Sequence, residues 1–82
     1  MGDNLEKYDA IFISVFDLDL SQLGSSLLYQ SVPNWDSVGH MEMISRLEEV
    51  FEITMEMDDI IDFSSYEEGK RILSKYGIVF NK

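Results

Sequence analysis

The 82-residue sequence contains no cysteine. Disulfide bonds, a thiolate nucleophile and cysteine-based zinc or iron-sulfur sites are therefore excluded, and any thiol chemistry must be supplied from outside the chain. Long apolar runs are also missing, since the longest fall far below the ~20 residues that span a bilayer. The N-terminus is acidic and does not have the character of a signal peptide. We expect a cytoplasmic protein that does not insert into a membrane.

Basic residues are scarce. Six Lys and Arg residues stand against sixteen Asp and Glu residues, which gives a formal net charge of -10 at pH 7. The imbalance is concentrated in residues 36–68, where eleven acidic residues accompany Arg46 alone. Such a charge repels nucleic acid and anionic membranes and attracts proteins with basic surfaces. The alternative interpretation, that the charge serves only solubility, fits the composition equally well.

The chain is short, and 45% of its residues are hydrophobic. We expect a single domain over residues 1–82, which on folding buries only about 60 to 65% of the surface of the unfolded chain. An interior of this size can shelter a small ligand but leaves little room for a deep active-site cleft. We therefore expect the chain not to be an enzyme.

The opening segment, "DNLEKYDAIFISVF", predicts a first helix. Asp3 and Glu6 have the spacing of a capping box. Apolar residues then recur at three-to-four spacing, namely Leu5, Tyr8, Ile11 or Phe12, and Val15. The part "AIFISVF" also alternates as a strand does and is rich in β-branched residues, so a strand is the alternative there.

A second helix is predicted from Asp36 or Ser37. Its apolar positions trace one stripe: Val38, Met41, Ile44, Leu47 and Phe51. Residues 17–36 form a long connection before it, rich in turn residues but with several leucines, and we expect this connection to pack down and to contain a helical turn.

Two further helices complete the pattern. The segment "DDIIDF" predicts one short turn of helix, and Ser64 with Glu67 forms a capping box that opens a last helix, ending at Gly77. The apolar positions of this last helix are Tyr66, Gly69, Ile72 or Leu73, and Tyr76. The predicted fold is all-α: a small four-helix bundle of three main helices and one short helix, with a long first connection.

No metal site is predicted. Asp17, Asp19 and Ser21 begin as a calcium-binding loop begins. Gln22 and Leu28, however, stand where that loop requires glycine and glutamate, so the pattern fails.

Ser37 allows two interpretations. At the start of a helix, its hydroxyl is an ordinary N-cap, which is the interpretation that spacing alone favours. The same place also suits an attached phosphodiester, because backbone N–H groups and the positive end of the helix dipole favour an anion there.

The segment "DSVGHMEMISRLEEVF" resembles the acyl carrier protein family, in particular its discrete, stand-alone members. Over nearly the whole chain, the predicted helices and the leucine-bearing connection follow the family's order and approximate lengths. The resemblance implies that Ser37 carries a covalent 4′-phosphopantetheine arm, flanked by Asp36 and Val38. It implies no catalytic residue, since a carrier holds acyl groups as thioesters and delivers them to other enzymes.

The resemblance also implies partners. Glu42, Glu48 and Glu49 match acidic positions of the family's recognition helix. The expected partners are a phosphopantetheinyl transferase and acyl-loading, synthase and acyltransferase enzymes with basic docking surfaces, and we expect the carrier to be a monomer. Fast, weak docking of this kind suits charge complementarity.

The cargo stays open. Gly39 stands where many fatty-acid carriers have an acid, and Trp35, His40 and Met41 look more like carriers of specialised pathways. Fatty-acid or polyketide synthesis is the first expectation, and an aminoacyl, peptidyl or other specialised carrier is the alternative. An unmodified acidic helical adaptor is a further alternative from a different functional class.

Several side chains near Ser37 have both a structural and a functional interpretation. A hydrolytic dyad of Ser37 with His40 lacks an orienting acid, so an exposed histidine is the expectation. Met41, Met55 and Met57 are expected to fill the core, with an adaptable acyl cavity as the alternative. Trp35 either covers the base of the arm or anchors the connection.

Overall fold

The computed structural model describes residues 4–80. In chain order it contains α1 (Asn4–Phe16), a 3-10 turn (Leu20–Gln22), α2 (Ser37–Phe51), α3 (Met57–Asp62) and α4 (Tyr66–Ser74). Within this range there is no strand, and only Leu28 and Ser65 form an isolated antiparallel bridge. The Cα radius of gyration is 11.5 Å, as expected of a compact chain of this length. The prediction of a small all-α fold is confirmed, as is the helical turn in the long connection.

Helix α1 supplies the aromatic half of the core. Tyr8, Ile11, Phe12 and Phe16 are buried along one face, so the helical interpretation of "AIFISVF" is confirmed over the strand. Phe12 contacts Tyr8, Phe16 and the buried Trp35, with ring centroids 4.8 to 5.5 Å apart. The helix ends before Asp17, which adopts a left-handed backbone with φ of 58°. The predicted cap at Asp3 lies outside the described residues.

The buried face of α2 differs from the predicted stripe. Met43, Ile44 and Leu47 are buried, whereas Val38 is 76% and Met41 52% exposed. The first turn of α2 packs closely on the end of the connection at Gly39, and Met43 is fully buried. The predicted stripe is therefore not the buried face at Val38 and Met41, and the core prediction for Met41 is wrong.

Helix α3 is short, and side chains hold it to the end of α4. The carboxylate of Asp59 accepts hydrogen bonds from Lys75 Nζ at 2.7 Å and from Tyr76 Oη at 2.6 Å. The bond from Lys75 is the main cause that lowers the pKa of Asp59 below its ordinary value. Tyr76 Oη also accepts from the backbone N–H of Glu56, just before α3. These bonds therefore fix α3 both at Glu56, just before its start, and at Asp59 within it.

Helix α4 begins one residue later than predicted. Ser65, rather than Ser64, is the N-cap, and its Oγ accepts from the N–H of Glu68 at 2.9 Å. The carbonyl of Ser64 instead accepts from the N–H of Tyr29 at 2.9 Å, so the chain is still extended at that residue. The last helical residue is Ser74, a turn before the predicted stop. The predicted apolar positions in the helix itself are confirmed, since Tyr66, Gly69, Ile72 and Leu73 are buried.

Gly69 is required by close packing, which gives a first testable prediction. A Cβ at this position would overlap the ring of Phe63 and the hydroxyl oxygen of Tyr8. Both rings are buried, and Tyr8 Oη is tied to the carbonyl of Tyr66 at 2.6 Å. We expect Gly69→Ala to lower the free energy of unfolding by about 2 kcal/mol, because overpacking outweighs the helix propensity of alanine.

Urea unfolding followed by circular dichroism measures the effect. Ser45→Ala, at an exposed position of α2, is the control and should change stability by less than about 0.5 kcal/mol. A Gly69→Ala protein as stable as the control would contradict the packing described for α4.

Among the helices of residues 4–80, none combines the length and the apolar character needed to cross a membrane.

Candidate functional site

Ser37 is the first residue of α2, and it is exposed. The cap is the residue before it: Asp36 has an extended backbone, and its Oδ1 accepts from the N–H of Gly39 at 2.9 Å. The N–H groups of Ser37 and Val38 lie at the open end of the helix, where an α-helix provides no acceptor of its own. The N-cap interpretation of Ser37 is therefore wrong, and its hydroxyl is not needed to start α2.

A groove lies beside Ser37, between α2 and α3. It has a volume of 340 Å³ and is open to solvent. Its lining consists of Tyr29, Ser37, His40, Met41, Met57, Ile60, Ile61, Phe63 and Ser64. Most of these side chains are apolar, so the groove suits an apolar ligand that enters from the side of Ser37.

Apolar side chains also surround the mouth of this groove. Met57 is 68% and Ile61 69% exposed on α3, Met41 of α2 is 52% exposed, and all three line the groove. Single exposed apolar residues are common, but three along one groove make a patch that marks an interaction site. The exposed Met41 is thus part of the groove, and the exposed Val38 follows Ser37 directly in the chain; neither exposure was predicted from the helical pattern.

Gly39 allows the first turn of α2 to approach the connection. A Cβ here would overlap the backbone carbonyl of Asn34 and would lie 3.2 Å from Cε1 of Phe16. The connection just before Ser37 is therefore packed directly on the helix that carries it. A side chain at position 39 would therefore not fit in this arrangement.

His40 is part of the structure and not an exposed residue as predicted. Its Nδ1 accepts from Trp35 Nε1–H at 2.9 Å, and its Nε2 lies 2.9 Å from the carbonyl oxygen of Ile60. Trp35 is fully buried and stacks on Phe16, with centroids 4.9 Å apart. Trp35 therefore anchors the connection. Both imidazole nitrogens are engaged, so His40 has no free nitrogen with which to activate Ser37, which argues against the dyad.

The three predicted partner-binding acids fall into two groups. Glu42 and Glu49 are exposed, and their spacing of seven residues places them on one face of α2. Glu48 is half-buried, and its Oε2 accepts from the N–H of Met55 at 2.9 Å. Glu48 thus links the end of α2 to the segment that leads into α3.

The methionines are also divided. Met55 is buried in the core, as expected, whereas Met41 and Met57 line the groove. For Met41 and Met57 the prediction of a place in the core is wrong, and the alternative prediction that they line a cavity is correct about where they lie. Within residues 4–80, no group of three or more His, Asp or Glu side chains is arranged to hold a metal ion.

Several groove residues were not predicted. Ile60 and Ile61 are the apolar pair in "DDIIDF". This segment indicated a short helix but not that these two side chains line a groove beside α2. Tyr29 and Ser64 come together through the backbone bond described above, which no local pattern indicates. Comparisons of the chain with protein-family models, curated proteins and solved structures find no match.

Proposed function

We propose that the protein is a carrier of acyl groups, with a 4′-phosphopantetheine arm attached to Ser37. The observation that carries the proposal is the position of this serine: exposed, in the first turn of α2, and on the edge of a 340 Å³ apolar groove. The acyl carrier resemblance of the segment around it supports the same conclusion. The family's four-helix bundle is the arrangement that we propose for the helices.

The residues at the site fit the proposed arm. The arm can be attached to the hydroxyl of the exposed Ser37 without displacing a structural hydrogen bond, because Asp36 is the helix cap. The phosphodiester would lie near the backbone N–H groups of Ser37 and Val38, which favour an anion. When bound, the arm supplies the thiol that the chain itself lacks. The groove offers a place for the apolar part of the cargo.

The exposed surface around Ser37 fits partner enzymes that dock briefly. Val38, Met41, Met57 and Ile61 provide an apolar centre, and Glu42 and Glu49 add negative charge on α2. The proposed partners are a phosphopantetheinyl transferase and acyl-loading, synthase and acyltransferase enzymes with basic docking surfaces. Charge complementarity would raise the rate of association with them.

Intact-mass measurement tests the proposed function. The purified protein is incubated with coenzyme A and a broad-specificity phosphopantetheinyl transferase, and we expect each chain to gain one phosphopantetheinyl group. Peptide mapping should place that group on Ser37. A chain that gains no mass under conditions that modify a known carrier would overturn the proposal and favour an unmodified adaptor.

The groove predicts an effect of cargo length on stability. Each CH₂ that leaves water gains about 0.8 kcal/mol, and 1 kcal/mol raises the Tm of a domain of this size by about 4 to 8 °C. We expect the Tm, measured by calorimetry, to rise from the acetyl to the butanoyl to the octanoyl form, by about 5 °C or more over the series.

Met57→Gln is the control for the cargo series. This side chain lines the groove but is 68% exposed, so the substitution changes the groove and not the core. We expect a shallower rise of Tm with chain length in the variant. A flat series in the unsubstituted protein would exclude shelter of alkyl chains and favour a polar or aminoacyl cargo.

A further inference from the structure

His40 joins three segments that meet at the groove. It lies on α2, receives a hydrogen bond from Trp35 at the end of the connection, and reaches the carbonyl of Ile60 in α3. Its ring also lies edge-on to Phe63, with centroids 6.0 Å apart, and lines the groove itself. The side chain therefore stands where it can set the distance between α2 and the end of α3.

The two hydrogen bonds define the state of the imidazole. The indole N–H of Trp35 can only donate, so Nδ1 of His40 must accept. The carbonyl of Ile60 can only accept, so Nε2 must carry the proton. The contacts thus require a neutral ring in one tautomer. A second proton, on Nδ1, would remove the acceptor and leave two donors, Trp35 Nε1–H and Nδ1–H, facing each other.

Other contacts hold the beginning and middle of α3 independently of His40. Glu48 binds the N–H of Met55 before the helix, and Asp59 binds Lys75 and Tyr76. The end of α3 bears the groove residues Ile60 and Ile61, and the contact of His40 with the Ile60 carbonyl is the link from α2 that the structure gives there. Loss of this contact would therefore widen the groove at that end and leave the rest of α3 in place.

The titratable groups around the ring are few. From the connection, the ring of Tyr29 lies edge-on with its centroid 5.5 Å away. Just before α2, the carboxylate of the cap residue Asp36 accepts a hydrogen bond from the N–H of Gly39. On α3, Asp59 is engaged by α4 and Asp62 is exposed. The segment after α3 presents Phe63 and Ser64, which carry no charge. Among the described residues, no carboxylate hydrogen-bonds the imidazole.

We propose that His40 is a positioning residue that closes the groove on the cargo while neutral and releases it when protonated. The inference rests on the proposed carrier function, because it makes the shelter of a Ser37-linked acyl chain depend on pH. Histidine is the side chain whose charge generally changes between pH 5 and 8, so the tests compare the groove at pH 7.5 with the groove at pH 5.5. Loss of one hydrogen bond of ordinary net strength changes the equilibrium between the closed and the open groove by about fivefold.

The first test uses the protein without an arm. The chain has one tryptophan and one histidine, so the fluorescence of Trp35 reports directly on their contact, and the methyl NMR signal of Ile61, at the end of α3, reports on the groove. We expect both signals to change between pH 7.5 and 5.5, with circular dichroism constant. In His40→Gln, which keeps a donor and an acceptor but does not titrate, both signals should stay constant. Unchanged signals in the unsubstituted protein would overturn the inference.

The second test uses octanoyl cargo on the arm. Protection is the rate of hydroxylamine cleavage of free octanoyl-pantetheine divided by the rate for the carrier-bound thioester at the same pH. We expect protection to fall about fivefold from pH 7.5 to 5.5, to stay high in His40→Gln and to stay low in His40→Leu. Equal protection in the unsubstituted protein and His40→Gln at both pH values would overturn the inference and leave the carrier function standing.

The two proposals fail in different ways. If Ser37 accepts no arm, the carrier function is wrong, and the fluorescence and methyl signals alone decide whether His40 positions the end of α3. If His40→Leu does not fold, the comparison of His40→Gln with the unsubstituted protein still decides the pH dependence.

Discussion

Ser37→Ala is expected to abolish phosphopantetheinylation completely and to leave the fold almost unchanged. The loss is complete because the hydroxyl oxygen is the proposed attachment atom. The fold persists because Ser37 is exposed and the capping bond to Gly39 belongs to Asp36, so the substitution should change the free energy of unfolding by less than about 0.5 kcal/mol. Intact mass after incubation with coenzyme A and transferase gives the first result, and urea unfolding gives the second.

Two control variants make the result specific. Ser45→Ala removes another exposed serine from the same helix and should leave modification unchanged. Asp36→Ala removes the cap and should cost about 1 kcal/mol of stability, which separates capping from attachment. If the Ser37→Ala protein still gains the phosphopantetheinyl mass, the arm is elsewhere and the assignment of Ser37 is wrong.

Reversal of Glu42 and Glu49 to lysine is expected to slow modification by about tenfold at low salt. Both acids are exposed on the helix that begins with Ser37, and charge complementarity acts mainly on the rate of association. High salt should reduce the difference, because the Debye length is only about 8 Å at physiological ionic strength. Initial rates at subsaturating carrier concentration, at low and high salt, measure the effect.

The structure changes which acids should be tested. Glu48 is unsuitable, since its carboxylate binds the N–H of Met55 and its reversal would disturb the fold. A matched control is the reversal of Glu6 and Glu67, both exposed, which changes the net charge equally. The weak surface pair of Glu67 with Lys70, at 3.5 Å, should contribute little.

The control decides between local and overall charge. If the reversal of Glu6 and Glu67 slows modification as much as that of Glu42 and Glu49, the total charge of the protein is responsible and α2 is not a recognition surface. If neither pair has an effect at any salt concentration, electrostatic docking is wrong.

The helices could be predicted from the sequence, but the buried face of α2 could not. Ile44 and Leu47 belong both to the predicted stripe through Val38 and Met41 and to the observed one through Met43. Helical periodicity does not distinguish two overlapping stripes. The observed stripe goes with tertiary contacts such as the close approach of Gly39 to Asn34, which exist only in the folded chain.

The start of α4 shows the same limit on a smaller scale. Ser64 and Ser65 are each followed three residues later by a glutamate, so both have the pattern of a capping box. Ser65 is the cap because Ser64 is held in an extended segment by its bond to Tyr29. A local pattern cannot register a partner that lies 35 residues away.

The candidate site divides in a similar way. The sequence indicates Asp36, Ser37 and Val38, because they are consecutive residues at the start of a helix. A short sequence motif is enough to identify such a group. The role of His40 could not be found, because one of its two partners, Ile60, lies on another helix. The groove is likewise a product of packing, since its lining comes from three separate segments.

The isolated bridge between Leu28 and Ser65 has a consequence for the order of folding. Two backbone bonds of 2.9 Å, from Tyr29 N–H to the Ser64 carbonyl and from Tyr66 N–H to the Leu27 carbonyl, close a loop that contains all of α2 and α3. Joining distant points of an unfolded chain costs entropy that local helical contacts do not. We therefore expect α1 and α2 to form and to pack together first, and these two backbone hydrogen bonds to form late. The groove beside Ser37 is then among the last parts of the molecule to assemble and among the first to come apart.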